Sequence, residues 1–448
     1  MDTRKLILVS VALFAAAAFV RVVVWENNKL AMSLVQFGVI DNYKADAKAL
    51  ADGDLKLFLA GPDPPSDANV LLHPPGFPIL MAIVYKLFDV EGALRFFQIL
   101  LCSLAPVLIL LIGLQLFQFR TAMIAALLTA FSPQFAYHSG ITLPDELSVL
   151  PLLAAVYALA NAVRTQSVIW MVWCGLSIGL SCWLRSNALL LPLFFAAAAV
   201  VLLPRETGAK LAITLLISFV LTISPITIRN MVVFHSFVPL SLGMGTTFLE
   251  GLGDYDENGR IGAPVTDEDV RELDVRLSGN TSYLDQTYNP DGVERDRARI
   301  KHGLGIVAAN PGWFIASVAH RSISMLRMER VPVISQEHDE RETTNPAAYA
   351  INAPLKLLQR AYITAVFLPL IAAGIGFLLA KKPRRRLVLL GVIPLYYMTV
   401  QALIHTEYRY VLASHHILMI FAAVGLSCLA DLILRKMGGS NRTALTGT

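Results

Sequence analysis

Along most of the chain, long apolar tracts alternate with short charged segments. The tracts run near Leu6–Trp25, Ala93–Phe117, Ala122–Tyr137, Leu147–Val163 and Val168–Leu184. They continue at Ala188–Leu203, Leu211–Ile228, Ala361–Ala380, Leu387–Ile404 and Ile417–Leu434. A helix needs about 20 apolar residues to cross a bilayer core, and inside lipid it satisfies every backbone group internally. The pattern therefore predicts an all-α polytopic membrane protein with about ten transmembrane helices, plus interfacial helices outside. One further run, Phe77–Phe88, is only about a dozen residues long and follows HPPG. That length fits an interfacial or re-entrant segment better than a span.

Composition agrees with this pattern. The 448 residues are 55% hydrophobic and only 16% charged, against roughly 25% charged in a soluble domain. Cys102, Cys174, Cys182 and Cys428 all fall within apolar tracts and read as small buried hydrophobes, not as a disulfide framework. The opening MDTRK and the apolar run after it resemble a signal peptide. No convincing cleavage site follows, so the run reads as an uncleaved first span.

Basic residues set the orientation. If Phe77–Phe88 stays at the interface, then Arg4, Lys5, Arg120, Arg164, Pro204–Lys210, Lys381–Arg386 and Arg435–Lys436 share one side. By the positive-inside rule that side is cytoplasmic. If the run crossed, KKPRRR would face outward. The chain thus reads as one integral domain, 1–448, in the inner (plasma) membrane with both termini inside. Its external parts are a first loop at 26–89, the turn HSGITLPDE, a large loop at 230–360, and HTEYRYVLASHH.

The external segments carry the chemistry. DNYKADAKALADG, Asp41–Gly53, reads as a helix with Tyr43, Ala47 and Leu50 in one stripe. Asp41 stands at its start, where an aspartate caps well, while Asp46 and Asp52 read as solvated. Past His73, the prolines Pro74, Pro75 and Pro78 prevent a regular helix, and Gly76 permits a sharp turn. Asp145 and Glu146 in LPDE sit at the mouth of a helix, either complementing its dipole or acting in function. Arg185, Arg229 and Arg409 are external cations that run against the usual bias. Each suits a phosphate, a lipid head group, or an acid such as Glu407 beside Arg409. Tyr408 and Tyr410 fit an interfacial belt. His405, His415 and His416 are weak evidence for a metal. NPGWFIASVAHRSISMLRM reads as an amphipathic interfacial helix offering His320, Arg321 and Arg327 to head groups.

In this order and topology the chain resembles the GT-C superfamily of polyprenyl-phosphate-dependent glycosyltransferases. It is most similar to the bacterial relatives of the protein O-mannosyltransferases and the lipid A aminoarabinose transferases. The resemblance rests on Asp41 before Tyr43, Ala47 and Gly53, on the PPG-x-P of Pro74–Pro78, and on Arg95 and Gln98. It extends to Asp145 with Glu146, Arg229 with Asn230, and Arg409 with Tyr410. The spacing departs from the pattern at Asp41, two residues before Tyr43 rather than three, which makes Asp46 a rival. Ile226 replaces the usual tryptophan after Pro225.

The resemblance implies a polyprenyl-phosphate-linked sugar donor, a lipid, glycan or protein hydroxyl acceptor, and inverting transfer at the periplasmic face. On that basis Asp41, Asp145 and Glu146 are the catalytic candidates, with Asp41 as base. Arg409, Arg229 and Arg185 are the donor-phosphate candidates. Tyr43, Asp46, His73, Pro74, Pro75, Gly76 and Tyr410 would wall the site. A divalent metal is possible but not indicated, and nothing points to nucleic acid. The competing readings are a transporter or flippase, which would place ionisable residues within its spans, and an O-antigen polymerase or ligase type. A structural scaffold would leave the PPG turn unexplained.

The topology is open to test by cysteine scanning in a cysteine-free background. A cysteine at Ser66 should react with an impermeant external reagent and one at Ser440 should not. External labelling at Ser440 would overturn the orientation.

Overall fold

The structure is a computed structural model and describes residues 2–55, 71–88, 91–256, 259–284, 292–333, 350 and 352–443. Ser66 and much of the large loop after residue 333 lie outside the described residues. The apolar tracts form helices, and no strand occurs among the described residues. Six helical stretches are long and apolar enough to cross a membrane: Thr3–Leu34, Gly92–Leu116, Arg205–Phe234, Ala353–Lys381, Arg384–Leu403 and Tyr408–Leu434. Shorter apolar helices span Gly76–Phe88, Phe119–Ala130, Val149–Thr165, Val168–Leu184 and Ser186–Leu202. The chain is a multi-pass membrane protein.

Specific residues decide where the tracts break. The first helix, α1 (Thr3–Leu34), runs past the expected end at Trp25. Gln36 then adopts a left-handed conformation, φ 52°, and turns the chain into α2 (Phe37–Ala51). This corrects the expected helix start. Asp41 lies within α2 and does not cap it, because Phe37 and Ile40 already continue the apolar face. The stripe itself is as expected, with Ile40, Tyr43 and Ala47 buried. They pack against α3 (Gly76–Phe88).

The tract at Ala122–Tyr137 is two helices. After Phe119–Ala130, the Ser132 hydroxyl accepts the Phe135 N–H at 3.5 Å and opens a new helix, Pro133–Gly140. Pro133 sits in its first turn, where a missing N–H costs little. Near the other end of the chain, Tyr362–Leu370 winds as a π-helix around Pro369, whose absent N–H disrupts the ordinary ladder.

Two apolar cores result. The larger joins helices between residues 105 and 226 to those between 362 and 424. The second gathers α1, α2 and α3 around residues 136–147. A small cluster of Phe248, Leu249, Leu252, Val270 and Leu273 belongs to the large loop. Arg321 departs from expectation there. It is fully buried and donates to the carbonyls of Ala402 (2.7 Å) and Gly251, so it pins the loop to the bundle and is not available to head groups.

Gly76 shows how tightly the first loop is docked. A Cβ at this position would lie 2.5 Å from the carbonyl oxygen of Trp183, a backbone atom that cannot swing aside. Gly76→Ala should therefore destabilise the protein by about 1–3 kcal/mol, the usual cost of overpacking. Unfolding in detergent would read this as a lower midpoint, and an unchanged midpoint would show that α3 is not seated on Trp183.

Candidate active site

Residues 141–148 connect two buried helices with little regular hydrogen bonding of their own, so their polar groups need partners from elsewhere. The amide nitrogen of Gln98 supplies several at once, lying 3.3, 2.7 and 3.1 Å from the carbonyls of Ser139, Ile141 and Leu143. Arg95 donates through Nε to Thr142 Oγ1 at 3.0 Å. Ser148 donates to the Asp145 carbonyl at 2.7 Å, and Ser181 donates to that of Ser148 at 2.9 Å. The loop that carries Asp145 is thus fixed from several sides.

Asp145, 4% exposed, forms an ion pair with Arg185. The Arg185 guanidinium lies over the Tyr410 ring, 4.3 Å from its centroid, within the range of a cation–π contact. Arg409 lies 5.1 Å from the same ring and donates to the Tyr410 hydroxyl at 3.2 Å. It also grips Glu407 through both Nε and Nη2, the latter at 3.2 Å from Oε1. The backbone of Tyr410 is held by Asn187, whose amide donates to its carbonyl at 3.1 Å.

Beyond Glu407 stands His405, with Nδ1 2.8 Å from Asp254 and Nε2 3.6 Å from Glu407. Burial lowers the His405 pKa, but hydrogen bonds to Asp254 and Glu407 and their charges outweigh it and bring it to about 9. Burial alone would raise Glu407. The His405 hydrogen bond and the Arg409 charge hold it instead at about 2.

The first loop reaches the same charges. Burial pushes the Tyr43 phenol well above its usual range, against the opposing influence of Arg185 and Arg409 and with that of Asp145 and Asp46. Burial, then Arg185 and Arg409, push His73 down to about 3, so its imidazole is neutral. The Tyr43 ring packs 4.8 Å from His73 and edge-on to Phe77 at 5.2 Å. Pro74 and Pro75 are buried beside them. A cavity of about 420 Å³ opens beside Asp145 and Arg409, lined by Gln36, Tyr137, His138, Asp145, Glu329, Glu407 and Arg409 among others.

Of the residues expected at the site, the structure places Asp145 and Arg409 on the cavity wall and links Arg185, Tyr410, Tyr43, Asp46 and His73 to them through contacts and charge. It does not bring in all of the candidates. Asp41 neither lines the cavity nor acts on Tyr43. Arg229 neither lines it nor acts on Tyr43 or His73, while Asn230 beside it donates to the carbonyls of Val238 (2.8 Å) and Leu240 (3.3 Å). Glu146 is 1% exposed and lies in the interior near Arg21 and His416.

The histidines also separate. His415 and His416 belong to the last helix (Leu412–Thr443) and are fully buried, whereas His405 stays in the loop. Among the described residues no group of three suitable side chains is arranged to hold a metal. Among the lining residues that went unpredicted are His138 and Glu329, whose side chains meet at 2.8 Å. Their only trace in the sequence is that each is polar beside an apolar run.

Residues 72–228 match the profile of the family described as dolichyl-phosphate-mannose-protein mannosyltransferase. No curated protein matches the sequence. Among solved structures, the archaeal oligosaccharyltransferase AglB from Archaeoglobus fulgidus is similar. In complex with an inhibitory peptide and a dolichol-phosphate, it superposes with a TM-score of 0.52 at 15% identity, over 97% of this chain and 52% of that one. The apo form gives 0.54 at 14% identity, over 97% and 52%. The form tethered to an acceptor peptide containing the NVT sequon gives 0.52 at 13% identity, over 94% and 50%. The chain spans about half the length of these structures, and the likeness is one of fold.

The raised His405 pKa makes a prediction about pH. A group whose folded value exceeds its unfolded one stabilises fully below the unfolded value, and that stabilisation is lost as pH rises through the folded value. Wild type should exceed His405→Gln in thermal stability near pH 6 and lose most of that margin above the His405 value of about 9. A margin independent of pH would mean that the Asp254–His405–Glu407 chain is not charged as described.

Proposed function

We propose, from the premise that this chain belongs by fold to the GT-C superfamily, that it is a membrane glycosyltransferase. It would move a sugar from a polyprenyl-phosphate donor to a hydroxyl acceptor at the periplasmic face. The observation that carries this reading is the meeting of Arg185 and Arg409 on Tyr410, with Asp145 paired to Arg185, beside a cavity that Asp145 and Arg409 line. A similar fold, the archaeal oligosaccharyltransferase, is seen with a dolichol-phosphate.

A departing polyprenyl phosphate develops negative charge, and preorganised cations stabilise that charge most where water is excluded. Arg409 presents a fork suited to two phosphate oxygens, and on donor binding it exchanges contacts with Glu407 for contacts with the phosphate. Arg185, held by Asp145, supplies the second positive charge. The neutral imidazole of His73, near the same two cations, adds a polar contact without adding charge. The cavity admits a head group, and the apolar tail stays in the bilayer.

The acceptor hydroxyl needs a base. As its oxygen bonds to the anomeric carbon and the sugar–phosphate bond breaks, its proton passes to a carboxylate, and direct displacement inverts that carbon. The α2 aspartates are the candidates, and their helical positions differ. Asp46 lies three residues from Tyr43 and so shares its face; Asp41, two residues before Tyr43, points elsewhere. Burial also raises Asp46 to about 6, closer to a useful working value for a base. The role expected of Asp41 therefore fits Asp46 better. Asp145, committed to Arg185, orients the cation.

Proteoliposomes supplied with sugar-loaded polyprenyl phosphate test this. Arg409→Ala and Arg409→Lys should both weaken donor affinity. Asp46→Asn should lower transfer by about 100-fold or more, the range of general-base catalysis, while donor binding survives. A larger loss in Asp41→Asn than in Asp46→Asn returns the role to Asp41. Unchanged donor affinity in both Arg409 variants, with transfer intact in both aspartate variants, would sink the glycosyltransferase reading.

A further inference from the structure

Next to Asp145 in sequence, Glu146 has a wholly different setting. Its carboxylate, the Arg21 guanidinium of α1 and the His416 imidazole of the last helix are all 0% exposed as side chains. Arg21 Nη2 lies 3.8 Å from Glu146 Oε1, and His416 Nε2 lies 3.2 Å from the same oxygen. Phe135 stacks on the His416 ring at 3.6 Å, closing it from the other side. The titratable groups facing this carboxylate are Arg21 from α1, the Cys102 thiol and His416, with His415 beside the last. An ionisable cluster enclosed in a membrane bundle is expensive and calls for a reason.

Hydrogen-bond bookkeeping gives one. His416 Nδ1 is 3.0 Å from the Leu412 carbonyl, and a carbonyl can only accept, so Nδ1 carries a proton. A neutral imidazole has only that one N–H. Its Nε2 would then present a lone pair to a carboxylate oxygen at 3.2 Å, acceptor against acceptor. Neither Nε2 nor the two Glu146 oxygens has a hydrogen-bond partner among the described residues, and one more proton, on His416 or on Glu146, would turn this unfavourable contact into an attractive one. The neighbouring His415 shows the contrasting case. Its Nε2 donates to the Met325 carbonyl at 2.9 Å, and its Nδ1 accepts from the Gln134 amide at 3.1 Å. A neutral ring satisfies both contacts there.

The cluster also joins the two parts of the candidate site. Glu146 directly follows Asp145, and His416 lies seven residues after Arg409 in one continuous apolar stretch, Tyr408–Leu434. We propose that Glu146 and His416 share one buried proton, and that this pair, braced by Arg21, fixes the position of Asp145 relative to Arg409. All three are positioning residues and none touches substrate. For its effect on transfer the proposal rests on the glycosyltransferase reading; for the shared proton it does not.

Two measurements on the full-length protein test it. Nitrogen-15 spectra of labelled histidine, together with infrared spectra of the carboxyl region, should show at neutral pH either a doubly protonated His416 or a carboxylic acid at Glu146. The signal should vanish in Glu146→Gln or His416→Gln. A singly protonated His416 beside an ionised Glu146 would overturn the proposal, whatever the protein catalyses. In the transfer assay, Glu146→Ala and His416→Ala should lower kcat at least tenfold, in line with the cost of small misplacements at a reacting centre, with donor KM changed little. Glu146→Gln, whose amide can donate to Nε2 from nearly the same position, should recover most of that loss. Unchanged kcat in the alanine variants, or no recovery in the glutamine variant, would overturn it. A wild type that transfers no sugar would overturn the functional reading alone.

Discussion

A buried loop without regular structure must find hydrogen-bond donors for its carbonyls, and here one amide does most of that work. Gln98 lies against three carbonyls of the segment leading to Asp145. Everything at the site follows from that attachment. Asp145 holds Arg185, Arg185 covers Tyr410, and Tyr410 accepts a hydrogen bond from Arg409. An isolated arginine at a membrane surface samples many directions. This one belongs to a chain of contacts that ends on a rigid helix.

Two adjacent carboxylates with opposite fates follow from the same rigidity. Asp145 borders the cavity and pairs with a cation that is itself partly exposed. Glu146 is enclosed with Arg21 and His416. In the sequence the two look alike, one carboxylate after another at a helix mouth. What separates them is the direction each side chain takes once the backbone is pinned, and no periodicity reports that.

Legibility in the sequence followed the same division. The helical tracts were legible because bilayer length imposes a long apolar signal on each. The short helix α3 was legible from its length and the prolines before it. Breaks at Ser132 and around Pro369 were written in local chemistry but masked by the apolar residues around them. Within the site, Arg185, Arg409 and Tyr410 were readable as out-of-place polar residues near the surface. Arg229 carried the same signal, yet unlike Arg409 it does not line the cavity, because the pattern ranks residues by oddness and not by direction. His138 and Glu329 were missed because neither is unusual alone; only their contact, 191 positions apart, marks them. The choice between Asp41 and Asp46 is of the same kind at closer range, since residues two and three positions from Tyr43 take different directions around the helix.

The contact between Gly76 and the Trp183 carbonyl has a mechanical consequence. Backbone meets backbone there, with no side chain between to absorb displacement. Trp183 stands two residues before Arg185, and α3 carries the exposed apolar side chains Ile83, Leu87 and Phe88. A displacement of α3 would therefore press directly on the backbone that leads to the guanidinium, as a lever presses on its fulcrum.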